Sequence, residues 1–179
     1  ILEAIQDHRV VILEGIGGIG KSTLARNLAE QIVKNKWNKY NAIVWISAKD
    51  TEVNLNSTLN TIAYVLDYYQ YISMLETVAL KTTAIIEKLQ EKNVFFVFDN
   101  FETIIDNELL KFIQIIPDNN RILVTTRHGI EKISQDQFLP EIEKLDFKDG
   151  KDVILHELKK QGLEKHSTDE IVKKIYEFT

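Results

Sequence analysis

The sequence predicts an α/β fold of three layers, a parallel sheet of about five strands covered by helices on both faces, followed by the beginning of a helical subdomain. Three observations carry this. Short β-branched and aromatic runs alternate with amphipathic stretches, as buried parallel strands joined by helical crossovers require. Four of the seven glycines, Gly15, Gly17, Gly18 and Gly20, fall between the first such run and the first amphipathic stretch. After about Phe147 no strand pattern follows, so the expected division is residues 1–147 and 148–179.

In chain order, Val10 to Glu14 is an apolar run suited to a strand buried on both faces, and Ser22 to Lys34 places Leu24, Ala25, Leu28 and Ile32 at helical spacing. Ala42 to Ile46, Val94 to Phe98 and Arg121 to Thr125 repeat the strand pattern, with a weaker fifth at Ile142 to Leu145. Between the second and third runs, Leu59, Ile62, Ala63 and Leu66 form one helical stripe and Leu75, Val78, Thr82, Ile85 and Leu89 another. Asp106 to Ile116 reads as a short helix ended by the turn signal Pro117-Asp118-Asn119-Asn120. Asp152 to Lys160 and Ser167 to Phe178 are amphipathic, and Ser167 with Glu170 supplies a capping box for the last helix.

The 179 residues carry 22 Lys plus Arg against 27 Asp plus Glu, a formal charge of −5. No broad positive footprint for nucleic-acid backbones results, and nucleic acid is not an expected partner. With no cysteine, disulfides, thiolate metal sites and cysteine nucleophiles are excluded. No apolar run reaches the roughly 18 to 20 residues that span a bilayer, and Ile1 to Arg9 lacks the features of a signal peptide, so a cytoplasmic protein without a membrane partner is expected. The missing initiator Met and an end at Thr179 within a helical pattern suggest a piece of a longer chain.

Gly15-Ile16-Gly17-Gly18-Ile19-Gly20-Lys21-Ser22 fits G-x-x-x-x-G-K-[ST] between a predicted strand and a predicted helix. Glycines let the backbone wrap a phosphate so that successive N–H groups and the helix N-terminus face anionic oxygens. Gly17, Gly18, Ile19, Gly20, Lys21 and Ser22 are therefore the expected phosphate contacts, with Lys21 on the β- and γ-phosphates and the Ser22 hydroxyl on Mg²⁺. Val94 to Phe98 runs into Asp99, the position for a metal-orienting carboxylate beside such a loop. Asn100, which follows, cannot accept a proton as a general base; Glu102 is close enough in sequence to take that role. Ile122 to Thr126 ends in Arg127, whose fork of donors suits a γ-phosphate. Lys21, Asp99, Asn100 and Arg127 are thus the candidate catalytic positions, and Ser22 and Asp99 the candidate metal positions.

Together these stretches, with Ile43-Val44-Trp45-Ile46-Ser47, resemble the NB-ARC branch of the STAND class of signal-transduction P-loop ATPases, in family order over most of residues 8–147. The resemblance implies strand order 2-3-4-1-5, a site for ATP or ADP with Mg²⁺, and a switch between an ADP-bound closed monomer and an ATP-bound homo-oligomer. It makes Thr23 an α-phosphate contact, Asp99 the Mg²⁺-site acid and Arg127 the sensor. It also implies partner domains in the same longer chain and a role in defence or regulated cell death. The family usually has a second Asp where this chain has Asn100, which implies slow hydrolysis. The alternative is a pseudo-ATPase core that keeps ADP as a clamp. A small-molecule phosphotransferase ranks behind both, since no arginine after Arg127 could serve a lid.

Other residues attract less. Tyr64, Tyr68 and Tyr71 lie at i, i+4, i+7 and read as surface tyrosines of one helix. His8, His128, His156 and His166 have no metal-ligand spacing, Lys34, Lys36 and Lys39 read as a solvated helix end, and Trp45 reads as core.

Overall fold

The computed structural model describes residues 1–34, 39–49, 53–104, 106–129, 133–140, 142, 146–163 and 168–178. They form two compact units, 1–141 and 142–179. In the first, the elements are α1 (Leu2–Asp7), β1 (Val10–Glu14), α2 (Lys21–Lys34), β2 (Ala42–Ser47), α3 (Leu55–Val65), α4 (Tyr69–Ser73), α5 (Val78–Glu91), β3 (Val94–Asp99), a 3₁₀ turn (Phe101–Thr103), α6 (Asn107–Ile115), β4 (Arg121–Thr126) and β5 (Gln137–Phe138). The second holds α7 (Phe147–Lys160) and α8 (Asp169–Phe178).

The five strands form one sheet in the order β2-β3-β4-β1-β5, and every pairing is parallel. β3 and β4 are central, and β3 is buried along its whole length, which explains its run of Val and Phe without polar alternation. One face of the sheet, with Ile12, Val44, Phe96, Phe98 and Val124, packs on Leu59, Ile62, Ile85, Leu89 and Phe112 of α3, α5 and α6. The alternate residues Val11, Leu13, Phe95, Val97 and Leu123 are equally buried and point to the other face. There the inward stripe of α2 is Ala25, Leu28 and Ile32. The register sets Ser47 beside Asp99 and Glu14 beside Thr126, so the polar ends of these strands share one edge of the sheet.

Buried polar residues tie the opposite edge. Asn120 is fully buried; its carbonyl accepts the Val94 N–H at 2.9 Å while its amide donates to Leu89 O and Pro117 O at 3.1 and 3.0 Å. Arg9, also buried, donates to the Ile116 carbonyl that ends α6 at 2.9 Å and to Ser134 Oγ at 3.3 Å. Burial pulls its pKa down, and Asp118 and Asp136 pull it back up.

Three sequence expectations are corrected. The fifth position in the sheet is filled by Gln137–Phe138, not by Ile142 to Leu145, of which residues 143–145 lie outside the described residues. β5 is only two residues long and is held through side chains, Asp136 accepting from His8 Nδ1 at 2.8 Å and from the Arg9 N–H at 2.9 Å, so no apolar run announces it. Tyr64, Tyr68 and Tyr71 do not share a helix: the chain turns at Asp67, whose φ is +63°, leaving Tyr64 in α3 and Tyr71 in α4. Trp45 lies half-buried on the edge strand rather than in the core. The Ser167 capping position, His166 and Lys36 lie outside the described residues.

In the second unit Val172 is fully buried, the rings of Phe147 and Tyr176 meet edge to face at 5.2 Å, and Lys151 pairs with Asp169 at 2.8 Å. A Cβ at Gly150 would stand 2.7 Å from the Tyr176 ring, so glycine is what lets α7 and α8 approach.

Asp106 caps α6, accepting from the N–H groups of Glu108 and Leu109, and also takes the Leu55 N–H at 2.7 Å from the start of α3. Burial pushes its carboxyl up, but the three backbone donors outweigh that and hold it below the usual carboxylate value. A depressed folded pKa contributes stability that is present above the unfolded value near 3.8 and lost as pH falls through the lower folded value. Asp106→Ala is expected to lower unfolding free energy at pH 7 by about 1–2 kcal/mol, with the difference vanishing in strong acid. Urea titrations across that pH range check it.

Candidate functional site

The chain leaves β1 toward β2 at one side of the sheet and leaves β4 toward β5 at the other, although β1 and β4 are neighbours. A crevice opens where connections diverge in this way, outside the carboxyl ends of the strands. The cleft found there has a volume of about 220 Å³ and is walled by Gly17, Gly18, Gly20, Lys21, Ser22, Thr23, Asn100, Glu102, Thr125 and Arg127. Pockets for drug-sized ligands run to roughly 300–1,000 Å³, so this space suits a phosphate chain rather than a whole nucleotide.

The loop from Gly15 to Gly20 turns tightly because Gly18 and Gly20 adopt φ of +87° and +98°, conformations that residues with a Cβ rarely hold. α2 starts at once with Lys21, so its unsatisfied first N–H groups open into the cleft. The Lys21 ammonium is buried and donates to the carbonyls of Gly15 and Ile16 at 2.7 and 2.9 Å. Burial pushes its pKa down; Glu102 pulls it up, Arg127 pushes it down and Asp99 pulls it up. Such a cation is under-solvated, and an anion in the cleft would restore what burial removes.

Asp99, 6% exposed at the end of β3, is bound by hydroxyls from three other elements. Ser22 and Thr125 each donate to Oδ1 at 2.6 Å, and Ser47 donates to Oδ2 at 3.4 Å. The Thr125 hydroxyl also accepts the Asn100 N–H at 3.0 Å. A serine hydroxyl has one hydrogen and two lone pairs, so Ser22 can donate to Asp99 and still offer a lone pair to a cation. Among the described residues no group of three or more His, Asp and Glu side chains gathers to hold a metal. The oxygens of Ser22 and Asp99 beside a phosphate cleft suit instead a hard cation that keeps waters and shares phosphate oxygens, as Mg²⁺ does.

Arg127 lies over the glycine loop: a Cβ on Gly17 would stand 3.6 Å from its Cζ. Its guanidinium Nε lies 3.0 Å from Glu102 Oε1 in an ion pair. The fold thus brings Gly17, Gly18, Gly20, Lys21, Ser22, Thr23, Asn100 and Arg127 to one cleft, with Asp99 bonded directly beneath it. Ile19 is not on the wall; its side chain tucks against Gly15. The sequence reading gave no role to Ser47 or Thr125. Their signal was present, since both are hydroxyl residues at strand ends, on β2 and β4 beside β3.

Thr125→Val deletes a buried hydroxyl that donates to a carboxylate and accepts a backbone N–H. Unfolding free energy is expected to fall by about 1–3 kcal/mol, measured by urea denaturation against the wild type.

The family model "NB-ARC domain" matches residues 1–154. A transcription activator, GutR of Bacillus subtilis, is 27% identical over 133 residues, covering 72% of this chain and 16% of that protein. Among solved structures, the STAND protein with a tetratricopeptide-repeat sensor from Pyrococcus horikoshii aligns with a TM-score of 0.60 at 18% identity, over 98% of this chain and 26% of its own. Cdc6p from Pyrobaculum aerophilum aligns at 0.61 and 15%, over 83% of this chain and 43% of its own. The chain therefore spans less than half the length of each of these relatives. No helix among the described residues is long and apolar enough to cross a membrane. The motif loop, the sheet order and the family match agree: the chain belongs to the NB-ARC family of STAND P-loop ATPases, whose fold is a nucleotide-binding module.

Proposed function

We infer that this module binds ATP and ADP with Mg²⁺ and serves as the nucleotide switch of a longer signalling protein, an ADP form being closed and an ATP form assembling with further copies. The observation that carries the reading is the convergence of Lys21, the Ser22–Asp99 pair at 2.6 Å and Arg127 on one cleft. Lys21 would neutralise phosphate charge, and the N–H groups of Gly18 to Thr23 would fix the phosphate chain. Ser22 and Asp99 would hold Mg²⁺, which supplies charge neutralisation between the phosphates. Arg127, at the end of β4, would report whether a terminal phosphate is present.

Hydrolysis in this reading is slow. Asn100 stands on the cleft wall where a carboxylate would serve as base, and an amide cannot accept the proton from water. Glu102, the other candidate base, is engaged by Arg127. The ADP-clamp alternative rests on the same residue. As for the output, the likeness to a transcription activator favours gene regulation as a second reading beside defence or cell death. Solved relatives include the Aeropyrum pernix Orc1 protein in complex with DNA, but the charge of −5 on this chain supports no nucleic-acid contact by the module itself.

Calorimetric titration tests the site. Lys21→Ala is expected to weaken Mg-ATP and Mg-ADP alike by roughly 10- to 100-fold, the value of a charge-assisted hydrogen bond, and Ser22→Ala to weaken them only when Mg²⁺ is present. Unchanged binding in Lys21→Ala contradicts the reading.

Asn100 has φ +60°, a left-handed conformation that Asp tolerates as Asn does. Asn100→Asp is expected to raise single-turnover ATP hydrolysis by at least about 100-fold if the missing base limits the rate. An unchanged rate favours the clamp.

A further inference from the structure

Arg127 is engaged by a single glutamate, Glu102. One carboxylate engages it twice: Glu102 Oε1 forms an ion pair with the guanidinium Nε at 3.0 Å, and Oε2 accepts the Arg127 backbone N–H at 3.2 Å. The two side chains differ in freedom, 12% exposed for Glu102 against 56% for Arg127. Glu102 is the fixed member, and the guanidinium is the one that can swing.

Backbone conformation aims Glu102. The left-handed turn at Asn100 (φ +60°, ψ 46°) bends the chain sharply after Asp99. It is locked by the Asn100 N–H on Thr125 Oγ1 and by the Thr103 N–H and hydroxyl on the Asn100 carbonyl at 3.2 and 3.0 Å. Phe101 then anchors the 3₁₀ turn in the core, edge-on to Phe98 at 6.1 Å. The residue between Phe101 and Thr103 is thereby directed at the end of β4, where Arg127 lies. On its other side the guanidinium rests against Gly17 of the phosphate loop.

We propose that Glu102 is a positioning residue that holds the Arg127 guanidinium when the cleft is empty or carries a nucleoside diphosphate, so that a terminal phosphate must take the guanidinium from it. The proposal rests on the reading of the cleft as a phosphate site. A guanidinium that swings onto a γ-phosphate gives up its ion pair with Glu102, and the phosphate brought there also repels the Glu102 carboxylate. A diphosphate ends one group short and leaves the pair closed. Glu102 therefore sets the preference of the site between diphosphate and triphosphate.

The test is a set of titrations on the intact protein with Mg-ADP and Mg-ATPγS, in wild type, Glu102→Gln, Glu102→Asp, Arg127→Ala and the double variant Glu102→Gln/Arg127→Ala. An exposed ion pair resists opening by a factor of about two to five. Glu102→Gln is expected to shift the ratio of affinities toward the triphosphate by about that factor, and Glu102→Asp, which keeps the charge and shortens the reach, to shift it the same way. The Glu102→Gln shift does not survive in an Arg127→Ala background. An unchanged ratio in Glu102→Gln overturns the proposal. So does an equal shift with and without Arg127, which assigns a through-space charge effect, or lost hydrolysis at an unchanged ratio, which assigns Glu102 to the attacking water. If the wild type binds neither nucleotide, the phosphate-site reading itself fails; if it binds both and only the ratio is insensitive, the latch alone fails.

Discussion

A buried carboxylate with hydroxyl partners on three sides is the constraint around which this module is arranged. Asp99 ends the most buried strand of the sheet, largely shut off from water, so its oxygens must be met by donors within the protein. Ser22 brings the first turn of α2, Thr125 brings β4, and Ser47 brings β2. Fixing one carboxylate therefore fixes the phosphate loop relative to two strands. Because Thr125 also takes the Asn100 N–H, the direction in which the chain leaves β3 belongs to the same network.

The two edges of the sheet divide their labour. At the amino-terminal edge Asn120 and Arg9 have their donors taken up by backbone carbonyls, joining strand starts to the ends of α5 and α6. These donors are spent on the protein's own carbonyls, and the effect is cohesion. At the carboxyl edge Lys21 turns back on its own loop carbonyls, Arg127 is held by one glutamate, and the first N–H groups of α2 face open space. That edge is under-satisfied: it holds donors in excess and is short of acceptors. Its complement is a polyanion.

Much of this was legible in the residues because the chemistry is local. A strand buried on both faces must be an apolar run, a loop with positive φ must carry glycine, and the lysine and serine follow without a gap. What was not legible depends on contacts distant in sequence. β5 is two residues held by His8, Arg9 and Asp136 rather than by its own apolarity, so periodicity pointed instead to Ile142 to Leu145. The tyrosine spacing suggested one helix, but left-handed Asp67 divides it in two. Glu102 could be placed near the site by number alone, yet its direction came from the backbone turn at Asn100, which residue identity permits without dictating. The partners of Asp99 on β2 and β4 became visible only once strand register was known.

The central claim is that this cleft holds the phosphates of an adenine nucleotide, and the most direct measurement is of what the protein carries. The intact protein is purified without added nucleotide, denatured, and the released small molecules are separated and identified. The account predicts an adenine nucleotide, chiefly ADP, approaching one per chain and absent from Lys21→Ala prepared in parallel. An intact protein that releases none and also fails to take up added Mg-ADP or Mg-ATP would contradict it.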